Sequence, residues 1–281
     1  MTTIQNAIDS AVQKLACTSD SARLDAEVLL AFILDKNRGY LRAWHNKILD
    51  LQVISHFEML ISQRQQGFPI AYLTGSREFW SREFFVSPDV LIPRPDTEIL
   101  IEHCLEKIPQ NLPLHILDLG TGSGIIAITL ACERTNAKIV AIDASDAALR
   151  IAHKNANFHN CHNVEFILSD WFSNVPKKKF DLIVSNPPYI AKDDKHLTQG
   201  DVRFEPQSAL VAAENGLHDI FEIAQNARNY LVSEGLLLFE HGYNQAQAVQ
   251  EILKNMGFID VQTHCDLAGQ PRVTIGVLSG F

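Results

Sequence analysis

The sequence predicts an α/β protein in which a mostly parallel sheet carries helices on both faces, with a small all-helical domain and a β-hairpin linker in front of it. Three observations carry that expectation. Residues 1–75 place apolar side chains at helical spacing and contain no strand-like run. Residues 76–93 turn to short aromatic and β-branched runs separated by turn residues. From 94 to 281, strand-like and helix-like segments alternate.

Taken in order, Ile4, Ala7, Ile8, Ala11, Val12 and Leu15 share one helical face. Asp20-Ser21 opens a second helix through Leu24, Val28, Leu29, Phe32 and Ile33. Asn37-Arg38-Gly39 reads as a break, and a further helix is expected over 51–66, before Gly67. This domain either docks a partner or caps the rest. Short strands are expected at 78–80, 83–86 and 90–92, punctuated by Ser81-Arg82 and Ser87-Pro88-Asp89. Two prolines around Arg94 stiffen the next segment. Asp96 there either caps the helix running to about Lys107 or borders a pocket. Strands follow at 114–119, 139–142, 164–168, 180–185 and 235–240, and helices at 125–132, 147–158, 217–231 and 244–256. Two consecutive strands at the end, 258–263 and 273–277, imply that one runs antiparallel at the sheet edge.

The totals exclude several classes. At 281 residues and 46% hydrophobic, the chain can bury a sizeable core. No apolar run approaches the ~18–20 residues of a membrane span, and the first ten residues lack a basic-then-apolar signal pattern. Five scattered cysteines with no Cys-x-x-Cys pair argue for a reducing, cytoplasmic setting and against a zinc cluster. His159-Asn160-Cys161-His162 fits no standard ligand spacing, reads as a solvated helix end, and no metal is expected. Net charge is −9, and residues 1–75 balance 7 basic against 7 acidic side chains, so the remainder carries all of it. A grip on nucleic acid needs Lys and Arg against phosphates, so neither direct nucleic-acid binding nor a membrane partner is expected.

Asp118-Leu119-Gly120-Thr121-Gly122-Ser123-Gly124 lies between the first strand of the alternation and its helix. The third glycine is one place too early for a dinucleotide fingerprint, and no Gly-Lys-Ser/Thr follows. Asp143 ends the second strand, where an acid can accept two ribose hydroxyls. Asp170-Trp171 ends the third, where an acid and an indole suit a purine. Singly, each has an ordinary alternative as a loop, a helix cap or core. Jointly they describe a nucleoside site without phosphates, which points to S-adenosylmethionine.

Phe180-Asp181-Leu182-Ile183-Val184-Ser185 is an apolar run suited to a strand buried on both faces. Asn186-Pro187-Pro188-Tyr189 follows it. The Asn186 amide oxygen and the Pro187 carbonyl are acceptors for a planar N–H group, Pro188 restricts Pro187, and Tyr189 offers a flat face. The plainer alternative is a strand-ending turn. Glu240 and His241, at a later strand end, either assist or pack.

With these stretches in sequence, the chain resembles S-adenosylmethionine-dependent methyltransferases acting on planar nitrogens. Pro93-Arg94-Pro95-Asp96-Thr97-Glu98, Phe204-Glu205-Pro206 with Ala209-Leu210, and 266–272 are similar to the release factor glutamine methyltransferase family. The resemblance implies a Rossmann-like class I methyltransferase fold with a seven-stranded sheet over 94–281. It implies methylation of the glutamine in the Gly-Gly-Gln motif of class 1 peptide chain release factors by a monomer. It further implies that Asn186, Pro187, Pro188 and Tyr189 bind the glutamine. Gly120, Thr121, Gly122, Ser123, Gly124, Asp143, Asp170, Trp171 and Asn186 would hold the cofactor. The alternatives are a ribosomal-protein glutamine or, further off, an exocyclic amine of DNA or RNA. Ala212-Ala213-Glu214-Asn215-Gly216 departs from a more glycine-rich turn of that family and bears on the loop 191–216.

Overall fold

The structure, a computed structural model, describes residues 1–280. The chain forms two compact units. One is Met1–Ser76 with His196–Phe204, and the other is Arg77–Lys195 with the described chain from Glu205 onward. From Arg77 on the hairpin clusters with the larger unit, and nine residues of a late loop belong to the smaller.

The smaller unit contains α1 (Ile4–Leu15), α2 (Ala22–Leu34), α3 (Arg38–Ala43), α4 (Leu51–Gln65) and α5 (Ile70–Thr74). Its core is built from Ile4, Leu15, Leu29, Leu30, Leu41 and Ile61. Asn37 does not simply break the chain as expected. Its side chain accepts the Tyr40 N–H and starts α3.

The hairpin β1 (Ser76–Phe79) and β2 (Arg82–Phe85) follows, in the larger unit from Arg77 on. The third expected strand, 90–92, is not formed among the described residues: Val90 and Ile92 are buried in a stretch with no regular structure. Then come α6 (Thr97–Lys107), β3 (His115–Leu119), α7 (Ile125–Glu133), β4 (Lys138–Asp143), α8 (Asp146–Phe158), β5 (Val164–Leu168) and β6 (Phe180–Ser185). The loop after β6 holds the two-residue strands β7 (Ile190–Ala191) and β8 (Val211–Ala212), paired in parallel, and the single turn α9 (Ala213–Gly216). The chain ends with α10 (His218–Ala227), β9 (Leu231–Glu240), α11 (Ala246–Asn255), β10 (Phe258–Cys265) and β11 (Pro271–Leu278).

Seven strands form one sheet in the order β10-β11-β9-β6-β3-β4-β5. The neighbours β9-β6-β3-β4-β5 are parallel, and β11 is antiparallel to both β9 and β10. The reversed strand is therefore one place in from the edge rather than on it, a correction to the expected order. Alternating side chains feed two cores. Ile116, Ile139, Leu182 and Val184 meet α6 and α7 on one face. Leu117, Val140, Ile183 and Phe239 meet α10 and α11 on the other. The chain crosses from β5 back over β3 to β6, which puts a topological switch point at the carboxyl ends of β3 and β6. A crevice opens at such a point.

Candidate active site

Four successive strand ends supply the site. Asp118, fully buried near the end of β3, accepts the Thr121 hydroxyl at 2.6 Å and the Ala127 N–H at 3.2 Å. One carboxylate thereby fixes the loop between β3 and α7 at both ends. Burial pushes its pKa up to about 7. The Gly120 and Thr121 N–H groups both donate to the Ile142 carbonyl, which draws the loop across β4. A Cβ on Gly124 would stand 2.7 Å from Ile128 Cδ1, so this glycine lets the loop seat against its helix. A Cβ on Gly122 would meet nothing within 4 Å, leaving its backbone open to a ligand.

Asp143 closes β4. Its Oδ2 accepts the Gly122 N–H and its Oδ1 the Ser145 N–H, both at 2.8 Å. A carboxylate has about four acceptor positions, so these bonds leave room for a ribose hydroxyl. Burial raises its pKa against the Ser145, Gly122 and Ala144 N–H donors. Beyond β5, Ser169 donates its hydroxyl to the Trp171 carbonyl at 2.7 Å and holds the tight turn that presents the indole. The Trp171 side chain also bonds Asp219, whose pKa burial raises.

These residues share one cavity of about 400 Å³, the scale of a small-molecule site. Gly120, Thr121, Gly122, Ser123, Asp143, Asp170, Trp171, Asn186 and Pro188 all line it. Gly124 lies behind the loop, and neither Pro187 nor Tyr189 is part of the wall. The Tyr189 hydroxyl donates instead to Glu240 Oε1 at 3.2 Å, and the Tyr189 carbonyl accepts from Gln245. Gly216 is required beside it, since a Cβ there would sit 2.0 Å from that carbonyl. Asn186 donates its Nδ2 to the Thr97 hydroxyl at 3.3 Å. The donor set and volume fit a nucleoside bearing a short chain that reaches Asn186.

Sequence reading missed part of the wall. Asp89, Val90 and Leu91 come from the linker, and Pro206, Ser208 and Asp219 from beyond the tetrad. No motif marks them, although Pro206 belongs to the Phe204-Glu205-Pro206 stretch. The three distant stretches that carried the family resemblance are joined by ion pairs. Arg94 meets Glu205 at 2.6 Å, while Arg272 meets Asp96 and Asp266, each at 3.2 Å. Asp96 makes no cap bond to its helix. His241 is buried between the Gly242 carbonyl and the Thr274 hydroxyl, and burial lowers its pKa.

Comparison with known proteins agrees with this geometry. The Methyltransferase small domain family model matches residues 95–216, and the PrmC N-terminal domain model matches 6–75. A release factor glutamine methyltransferase of Shewanella oneidensis is 48% identical over 278 residues, covering 99% of this chain and 97% of that one. Its counterpart in Vibrio cholerae is 48% identical, covering 98% and 96%. The Escherichia coli counterpart is 47% identical over 258 residues, covering 92% and 93%. Among solved structures, a methyltransferase from Pyrococcus furiosus aligns with a TM-score of 0.55 at 15% identity, over 80% of this chain and all of that one. A 16S rRNA N2 G1207 methyltransferase of T. thermophilus, in complex with AdoMet and guanosine, aligns with a TM-score of 0.53 at 19% identity, over 72% and 49%. The fold is that of methyltransferases, and near-full-length identity at this level settles the family: this chain belongs to the release factor glutamine methyltransferases.

Proposed function

We propose that this protein transfers a methyl group from S-adenosylmethionine to the side-chain amide nitrogen of the glutamine in the Gly-Gly-Gln motif of class 1 peptide chain release factors. The observation that carries the reading is that Asn186 and Asp143 line the same cavity. A nucleoside held at Asp143 therefore lies within one cavity of the group that holds the acceptor amide. Gly120 to Ser123, Asp143, Asp170 and Trp171 bind the cofactor, and the Asn186-Pro187-Pro188-Tyr189 segment binds the glutamine. When bound, the cofactor supplies a methyl group already activated on a positively charged sulfonium.

The chain's own task is placement and polarisation. An amide nitrogen is a poor nucleophile because its lone pair is delocalised into the carbonyl. Asn186 Oδ1 and the Pro187 carbonyl accept its two hydrogens and hold its plane. Positive charge grows on that nitrogen as the new C–N bond forms and the carbon–sulfur bond breaks, its electron pair returning to sulfur, and two fixed acceptors stabilise that charge more than they stabilise the resting amide. The proton leaves after transfer, so no side chain need act as a strong base. The ring of Tyr189, fixed through its hydroxyl, supports the segment from behind. The acidic larger unit disfavours a nucleic acid as methyl acceptor. Five scattered cysteines with no Cys-x-x-Cys pair favour a reducing, cytoplasmic setting.

Transfer of labelled methyl tests this, with a class 1 release factor, ribosomal protein and DNA offered side by side. Label on the release factor, lost when its Gly-Gly-Gln glutamine becomes alanine, is the expected result. Label on ribosomal protein or DNA alone would overturn it.

A further inference from the structure

Two of the cysteines meet away from the cavity. Cys132 lies in the last turn of α7, and Cys161 follows the end of α8. Both are free and half-buried, and their Sγ atoms stand 3.1 Å apart. A disulfide holds its sulfurs at about 2.0 Å, so an approach of about 1 Å joins them. Neither residue lines the cavity. Each helix crosses back from the carboxyl edge of the parallel strands, which places the pair at the opposite edge from the glycine loop.

The two thiols have different surroundings. Cys161 Sγ lies 3.8 Å from the carbonyl oxygens of Ile128 and His159. Carbonyl oxygens accept a hydrogen bond and repel an anion, so they favour a protonated Cys161. Cys132 precedes Glu133, whose carboxylate holds the Arg82 guanidinium at 2.9 Å. The hydrogen bond from Cys161, helped by the positive charge of Arg82, holds the Cys132 thiol below its ordinary range against burial and Glu133. An anionic sulfur beside a protonated one is the arrangement of an attacking and a resolving cysteine.

We propose that Cys132 and Cys161 form a redox-active pair, oxidised by a hydroperoxide to a disulfide that staples α7 to the end of α8 and reopened by a dithiol. The Cys132 thiolate attacks one oxygen of the hydroperoxide. The O–O bond breaks, and its electron pair goes to the departing oxygen, which takes up a proton and leaves as water or an alcohol. Cys132 is then a sulfenic acid. The Cys161 sulfur attacks the Cys132 sulfur, the S–S bond forms, and the Cys161 proton leaves with the displaced hydroxide as water. The two thiols have lost two electrons, and the hydroperoxide has gained them. The new bond closes a loop from 132 to 161 that contains β4, α8, Asp143 and Asn155. Closing such a loop narrows the unfolded ensemble, so the oxidised form melts higher. In a reducing setting the pair rests as two thiols until peroxide arrives.

The test exposes the full chain to hydrogen peroxide and maps its thiols and disulfides by peptide mass spectrometry. A disulfide between Cys132 and Cys161, lost on adding dithiothreitol, is expected. Oxidation of Cys132 should run at least about tenfold faster than that of the exposed Cys17. Cys161→Ser should stop at a sulfenic acid on Cys132, captured by dimedone, and Cys132→Ser should leave Cys161 a thiol. With Cys17→Ser and Cys265→Ser added to exclude links between molecules, the oxidised form should melt about 5–10 °C above the reduced form. Wild-type peptides that keep both thiols while Cys17 is oxidised overturn the pair. A mapped disulfide without a rise in melting overturns the staple. No measurement here uses methyl transfer, so the outcome is independent of the proposed function.

Discussion

In the proposed reaction the chemistry turns on Asn186, and its truncation separates holding the cofactor from using it. Asn186→Ala leaves the glycine loop, Asp143 and Trp171 in place. Cofactor affinity by calorimetry is expected to stay within a few-fold, while methyl transfer falls by about 10²–10³-fold, the cost of one missing acceptor at a developing charge. Near-normal transfer would remove Asn186 from the mechanism. Asp118 makes a separate prediction about pH. An unfolded aspartate titrates near 3.9, whereas buried Asp118 titrates near 7. Between those values the folded chain keeps a proton that the unfolded chain has lost, so stability falls as pH rises through the window. The contribution is level below about 4 and above about 7, and its span is at most about 4 kcal/mol at ~1.4 kcal/mol per unit. Urea melts at three pH values should show Asp118→Asn gaining on wild type as pH rises. Parallel curves would refute the assignment. That Gly120, Asp143, Trp171 and Asn186 fall on adjacent strand ends was legible, because each follows an apolar β-branched run. The contacts of Thr97 with Asn186 and of Glu240 with Tyr189 were not, because they join residues distant in sequence.

Elements frame the site through contacts that periodicity does not record. Asn155, on α8, is fully buried. Its Oδ1 accepts the Phe85 N–H at 2.7 Å, and its Nδ2 donates to the carbonyls of Phe85 and Ser123 at 3.0 and 2.8 Å. One amide therefore ties the hairpin to the glycine loop. Glu98 on α6 takes the Trp80 N–H at 2.9 Å and anchors the hairpin at its other end. Asn155→Ala strands one donor and two acceptors in the interior, at about 2–4 kcal/mol, since each unsatisfied buried group costs about 1–3 kcal/mol before relaxation. Thermal melting should show that loss, and cofactor affinity should drop with it because the Ser123 carbonyl is no longer held. A variant as stable as wild type would mean that water replaces the amide. Nothing in the run from 147 to 158 singles out Asn155, which looks there like any polar helix residue. The sheet repeats the lesson. Each strand was readable from its own side chains, but the place of β11 between β9 and β10 depends on pairing, and pairing leaves no mark on a single strand.

At the scale of the whole molecule, the chain leaves the larger unit after Lys195, spends His196–Phe204 in the helical unit, and re-enters at Glu205. Within the helical unit this visit is fixed by three contacts. Arg64 bridges Asp25 at 2.7 Å and Asp201 at 3.0 Å, Arg203 donates to the Gln66 carbonyl at 3.1 Å, and the Phe68 and Phe204 rings stand 4.6 Å apart. Gly67 suits this turn because its φ is +96°, in the left-handed region that side chains rarely adopt. Glu205, the first residue back, bonds Arg94 and the Ile92 N–H beside the linker that lines the cavity. His196–Phe204 thus belongs with the helical unit and Glu205 with the larger one, a membership that spacing along the chain does not announce. Arg64→Ala is a poor probe, because it would leave the buried Asp25 carboxylate unpaired and unsettle the helices themselves. Asp201→Ala with Arg203→Ala removes only the partly exposed partners. An exposed ion pair is worth up to about 1 kcal/mol and a hydrogen bond about as much, so amide exchange across 196–204 should quicken by roughly 5–30-fold. Exchange in α1, α2 and α4 should not change. If those helices loosen equally, the segment is an integral part of the helical core rather than a strap laid on it.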